Sequence, residues 1–169
     1  AEDEESARPW ASGLIVRELA RLHSNWRAEE SLDAYLHRTG VAGITGLDTR
    51  ALTLHIREAG AMRAAIAPAS ESPDDVMERI LAHPRMAGLD LTARVTTEAA
   101  YEVAQVGEER FHVVAYDFGI KAGSLRRLAE LDCRVTVLPA STPVEAVLER
   151  EPDGLFLSNG PGDPDAVEA

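Results

Sequence analysis

Ser158-Asn159-Gly160-Pro161-Gly162-Asp163-Pro164 is the stretch of this sequence best suited to binding chemistry. Gly160 and Gly162 lack a Cβ and flank a proline, so the chain can turn sharply and let another group come within contact distance of main-chain N–H groups. The plainer alternative is an ordinary turn, because Asn-Gly and Pro-Gly are common turn dipeptides. The remaining reactive side chains lack the context their chemistry needs. Asp117-Phe118-Gly119 spells a kinase metal-binding tripeptide, but no glycine-rich phosphate loop or His-Arg-Asp stretch accompanies it. The five histidines form no His-Glu-x-x-His pattern and no Cys/His cluster, so no metal site is expected. Cys133, the one cysteine, lies in Leu131-Asp132-Cys133-Arg134 without a Gly-x-Cys-x-Gly elbow and reads as a small buried hydrophobe. Lys121 stands alone at a helix start, where a solvated role is the simpler reading than a contact to phosphate or carboxylate.

The elements that must position the glycine loop are clearest in the second half. Phe111–Tyr116 reads as a strand, Asp117-Phe118-Gly119 as a turn, and the next stretch as a helix carrying Leu125, Leu128 and Leu131. Arg134–Leu138 is a second strand. Thr142-Pro143-Val144-Glu145 spells a capping box before a short helix, and Gly154–Leu157 is a third, buried strand. Strand–helix–strand–helix–strand with short connections predicts a parallel sheet with right-handed crossovers. In such a sheet ligands sit beyond the carboxyl ends of the strands, which is where the Asp117 turn and the glycine loop would both lie.

Toward the N-terminus the signals are shorter. Residues 1–13 read as a solvated acidic lead-in and Gly13–Val16 as a strand. Ser31 caps a helix that Gly40 stops, and Val41–Thr45 is extended. Asp48 or Thr49 caps a second helix ending at Gly60, and Met62–Ala67 reads as another strand. Ser72, Pro73 and Asp75 open a third helix, closed by Pro84. From Gly88 to Glu109 no periodicity persists, which places a linker near 98–109 and a domain boundary at about 109/110.

Composition bounds the function. The chain has 169 residues, 45% of them hydrophobic, enough for one ordinary domain or two small ones. Its 29 acidic against 17 basic residues give a formal charge of −12, which argues against a nucleic-acid or anionic-membrane partner. With a single cysteine, an acidic start and no apolar run of about 20 residues, the sequence reads as a cytoplasmic protein.

Taken in order, several stretches resemble the small, glutamine-hydrolysing subunit of carbamoyl-phosphate synthetases, a class I glutamine amidotransferase family. They are Gly13-Leu14-Ile15-Val16-Arg17-Glu18-Leu19, Ser24-Asn25-Trp26-Arg27, Gly43–Arg50, Val95-Thr96-Thr97, Val113–Lys121 and Leu157–Pro164. The resemblance runs over nearly the whole chain, and the order and spacing of these stretches make it specific. Ala122-Gly123-Ser124 departs from the Asn-Ile pair expected after the lysine.

The resemblance implies an α/β chain in two parts. Residues 1–109 would be the C-terminal part of a mixed α+β N-terminal domain that helps dock on a large synthetase subunit. Residues 110–169 would be the first βαβαβ portion of an amidotransferase sheet. It further implies L-glutamine as substrate, with Gly160 and Gly162 touching it and the Gly160 N–H as oxyanion donor. Catalytic residues are expected outside the chain, with the nucleophilic cysteine elbow and a His/Glu pair beyond Ala169, so these 169 residues read as an internal piece without glutaminase activity of their own. No cofactor is expected in the chain, ATP and magnesium being used by the large subunit. A non-hydrolytic docking or regulatory relative is the alternative, and a flavodoxin-like ligand-binding domain would explain only residues 111–164.

Overall fold

The computed structural model describes residues 5–167, which group into two compact units: Ala7–Arg85, and residues 86–167 together with Glu5 and Ser6. The contacts thus divide the chain earlier than the sequence suggests, and residues 86–109 belong to the second unit.

In the first unit, strands β1 (Gly13–Val16) and β2 (Ala42–Thr45) pair in parallel, joined by helix α1 (Leu32–Thr39). Helix α1 begins where the Ser31 hydroxyl accepts the Ala34 N–H, and it ends at Gly40 in the left-handed conformation. Asp48, rather than Thr49, caps helix α2 (Thr49–Ala59) by accepting the Ala51 N–H. Helix α3 (Pro73–Ala82) follows, with Ser72 at its cap position but without the side-chain bond its sequence suggests; Pro73, which has no N–H, removes one donor from the first turn. Met62–Ala67 is not a strand. It has no ladder partner among the described residues, and Ile66 instead places its side chain against Gly13, where an added Cβ would stand 2.6 Å from it.

The second unit is a four-stranded sheet. Strands β4 (Phe111–Asp117), β5 (Cys133–Pro139) and β6 (Gly154–Leu157) are parallel, and β3 (Tyr101–Val103) is antiparallel to β5, giving the order β3-β5-β4-β6. Helix α4 (Ala122–Glu130) connects β4 to β5, and the short helix α5 (Val144–Leu148) connects β5 to β6. The stretch expected to be a linker near 98–109 therefore supplies an edge strand. Three residues of β3 carry too little alternation to be read locally.

Both faces of β5 are covered. On one face Ala115, Leu125, Cys133, Val135 and Val137 form a buried cluster; on the other Val114, Leu138 and Val147 form a second one beside Tyr116. Helix α4 buries Leu125 and Ala129, one turn apart, while Leu131 is exposed just past its end. Two expectations fail here. The capping box before α5 is not made, because Pro143 occupies the cap position and no side chain bonds the first turn. Among the described residues β6 pairs only with β4, and Leu155 and Leu157, expected to be buried, are more than half exposed. The lead-in is also not wholly solvated: the Glu5 carboxylate accepts the Gly123 N–H at 2.7 Å, and the Glu5 carbonyl accepts the Ala122 N–H. A carboxylate at the start of a helix is favoured by the helix dipole. Among the described residues no helix is long and apolar enough to cross a membrane.

Candidate functional site

β4 and β6 are parallel neighbours, so the turn after Asp117 and the loop after Leu157 leave the sheet at the same edge. Asp117 is buried at that edge and is acceptor to three backbone N–H groups: Gly119 at 2.9 Å, Ile120 at 2.7 Å and Thr97 at 2.8 Å. Its carboxylate therefore shapes the turn into α4 and ties residue 97 to it, a structural duty rather than the metal binding its tripeptide spells. The Ser158 hydroxyl accepts the Phe118 N–H at 3.0 Å, stitching the two connections together. The Phe118 ring stacks on Tyr116, with centroids 5.8 Å apart, and the Tyr116 hydroxyl donates to the Thr142 carbonyl.

The glycine loop fits against this edge because it lacks side chains. A Cβ on Gly160 would collide with the Phe118 carbonyl oxygen and stand 3.2 Å from the Thr92 methyl. Gly162 has φ +94° and forms an antiparallel bridge with Asp90; a Cβ there would lie 2.7 Å from the Leu89 carbonyl oxygen. The segment facing the loop runs from Gly88 through a 3-10 turn at Thr92–Arg94. It is fastened by the Asp163 carboxylate, which accepts the Gly88 N–H at 2.8 Å, and by the Asp163 N–H, which donates to Leu89. Asp90 in turn accepts from both the N–H and the hydroxyl of Thr92, at 2.8 and 2.5 Å.

These bonds hold two carboxylates ionised. The Thr92 hydroxyl, then the Thr92 amide, keeps Asp90 below the usual carboxylate value of 3.8. The Gly88 amide, then that of Asp165, does the same for Asp163. A lowered folded-state value means that each contributes stability fully present above pH 3.8, and lost as pH falls through the lower folded value. Amide protection at Gly88 and Thr92, corrected for intrinsic exchange, is therefore expected to be flat from pH 7 to about pH 4 and to decline below it. Loss beginning above pH 5 would contradict this assignment.

Between Thr92, Phe118, Ser158 and the Asn159–Gly162 loop lies an open depression of about 370 Å³, within the size range of small-molecule sites. Gly160 is exposed, and among the described residues nothing accepts its N–H. Every buried side-chain N or O atom among the described residues has a partner. The other candidates lie apart from the depression. Cys133 is buried at the start of β5, with its thiol 3.6 Å from the Leu131 carbonyl. Lys121 is exposed at the cap position of α4. His112 is buried against the Thr136 hydroxyl, its Nε2 2.8 Å away, and among the described residues no group of three His, Cys, Asp or Glu is placed to hold a metal. Sequence reasoning missed Asp90, Thr92 and Asp163. The only local hint was the Asp-x-Thr spacing, typical of a short side-chain-to-backbone turn.

Two family models match the chain. One, described as glutamine amidotransferase class-I, covers residues 114–169 and so includes the end of β4, all of β5 and β6, and the glycine loop; the other, described as carbamoyl-phosphate synthase small chain, CPSase domain, covers residues 1–66. Curated proteins bearing the name carbamoyl phosphate synthase small chain align with almost all of it. Those of Synechococcus sp. and Streptomyces coelicolor are 51% and 50% identical over 99% and 96% of this chain, and over 46% and 43% of their own lengths. The chain belongs to the carbamoyl-phosphate synthase small-chain family. It spans about half the length of the curated relatives it matches, including that of Chlorobaculum tepidum, 48% identical over 98% of this chain and 45% of its own. The segment that fastens the glycine loop, Gly88–Thr97, lies between the regions matched by the two models of this small-chain family.

Proposed function

We propose that the polypeptide containing this chain is the glutamine-hydrolysing subunit of a carbamoyl-phosphate synthetase. A cysteine thiolate supplied from outside residues 1–169 attacks the side-chain amide carbon of L-glutamine, with a histidine oriented by a glutamate moving the protons. Ammonia leaves, and water then releases glutamate from the thioester. The ammonia passes to a large subunit, which joins it to bicarbonate using ATP and magnesium; no cofactor is assigned to this chain. Gly160 and Gly162 form the part of the glutamine site that the chain provides. The observation carrying this reading is Gly160 itself, exposed, with no acceptor for its N–H among the described residues, and lining a depression beyond the carboxyl ends of β4 and β6. A preorganised backbone donor of this kind can meet an oxygen as it becomes negative. The cytoplasm is the expected compartment.

The test is the full-length protein assayed with its large subunit. It is expected to hydrolyse glutamine, and Cys133→Ser is expected to stay within about threefold of it, because Cys133 is buried away from the depression. A parent inert toward glutamine would mean a docking or regulatory role instead, and a hundredfold loss on changing Cys133 would relocate the nucleophile.

A further inference from the structure

Gly160 is held between two walls of different origin. Phe118 forms one, fixed by the end of β4 just before it, by the Asp117 turn and by the Ser158 hydroxyl. Thr92 forms the other; it is 4% exposed and comes from a segment about 70 residues earlier in sequence, which meets the loop through a single isolated bridge rather than a strand ladder. On its C-terminal side the segment is tied to the sheet, the Asp117 carboxylate accepting the Thr97 N–H and the Thr96 hydroxyl accepting the Ala140 N–H; on its N-terminal side it is held to the loop by a short set of bonds centred on Asp163. One carboxylate oxygen takes the Gly88 N–H at 2.8 Å and the other the Asp165 N–H at 3.1 Å, while the Asp163 amide donates to the Leu89 carbonyl at 3.1 Å. Next to it, Gly162 bridges Asp90, whose carboxylate fixes the Thr92 hydroxyl; the Thr92 methyl lies 3.2 Å from where a Gly160 Cβ would stand.

We infer that Asp163 is a positioning residue for the Gly160 N–H: by clamping Gly88–Thr92 onto the glycine loop, it sets the second wall and so the direction in which the oxyanion donor points. The inference rests on the glutaminase reading above. An oxyanion donor acts mainly in the transition state, so a misdirected N–H should lower turnover while leaving glutamine affinity nearly intact. Simple loss of stability would instead reduce the number of competent sites and leave turnover per site unchanged.

The experiment uses the full-length parent with its large subunit, with competent sites counted by stoichiometric labelling with a thiol-reactive glutamine analogue. Asp163→Ala is expected to lower glutamine kcat per labelled site at least tenfold, with KM within about threefold and ammonia-driven synthesis unchanged. Asp163→Asn keeps one acceptor oxygen of the two and is expected to fall between the wild type and Asp163→Ala. Turnover per site within threefold of wild type for Asp163→Ala would overturn the inference, as would a loss carried by KM or an Asn variant no better than Ala. If the wild-type parent lacks glutaminase activity, the underlying reading fails; if the wild type is active and Asp163→Ala matches it, only the clamp assignment falls.

Discussion

Gly160→Ala in the full-length enzyme is expected to lower glutamine-dependent carbamoyl phosphate synthesis by at least tenfold and toward a hundredfold, with synthesis from added ammonia close to normal. The proposed contribution of one oxyanion donor is about 3 kcal/mol, by comparison with donors removed from other acyl-transfer sites. The structure adds a steric cause. A methyl group at residue 160 would meet the Phe118 carbonyl oxygen, a backbone atom held by the end of β4 and by the Ser158 hydroxyl, so the loop rather than the wall must move. Moving the loop is expected to redirect the Gly160 N–H. Because this interaction strengthens as the oxygen becomes negative, the loss should appear in kcat more than in KM. Equal loss with glutamine and with ammonia would mean that the loop serves only to hold the units of the enzyme together, and the ordinary-turn reading would stand.

The second large effect concerns the sheet that carries the site. Leu138 is 1% exposed and packs with Val114, Val147 and Tyr116 between β4, β5 and α5. Truncating a buried leucine removes its transfer free energy and leaves a cavity, together about 2–5 kcal/mol. Leu138→Ala is therefore expected to destabilise the second unit by about 3 kcal/mol, roughly a hundredfold in its opening equilibrium. Cys133 offers a local readout, since its thiol is buried on the opposite face of β5 and becomes reactive when the sheet opens. Peptide-resolved thiol labelling of Cys133 should accelerate about a hundredfold in Leu138→Ala and only severalfold in Leu138→Met, which nearly conserves volume. Acceleration below threefold in the alanine variant would show that β5 does not depend on this cluster.

What the sequence by itself determined was whatever is written within a few residues of chain. Ser31, Gly40, Asp48 and Gly60 mark helix ends because a cap is a contact between a side chain or a left-handed residue and backbone three or four positions away. The order of β4, α4, β5, α5 and β6 was legible for a similar reason, since apolar spacing and turn residues report local geometry. With the parallel connection rule, that order was enough to bring Asp117 and the glycine loop to one edge.

Only the tertiary structure decided which residues face the loop. The bond from Gly88 to Asp163 spans 75 positions, and the Asp90–Gly162 bridge joins two short irregular segments; neither leaves a periodic trace in sequence. Tertiary context also gave Met62–Ala67 no ladder partner among the described residues and recruited Tyr101–Val103 as an edge strand. Strand pairing and burial depend on neighbours that arrive from elsewhere in the chain, whereas a helix makes its hydrogen bonds within itself.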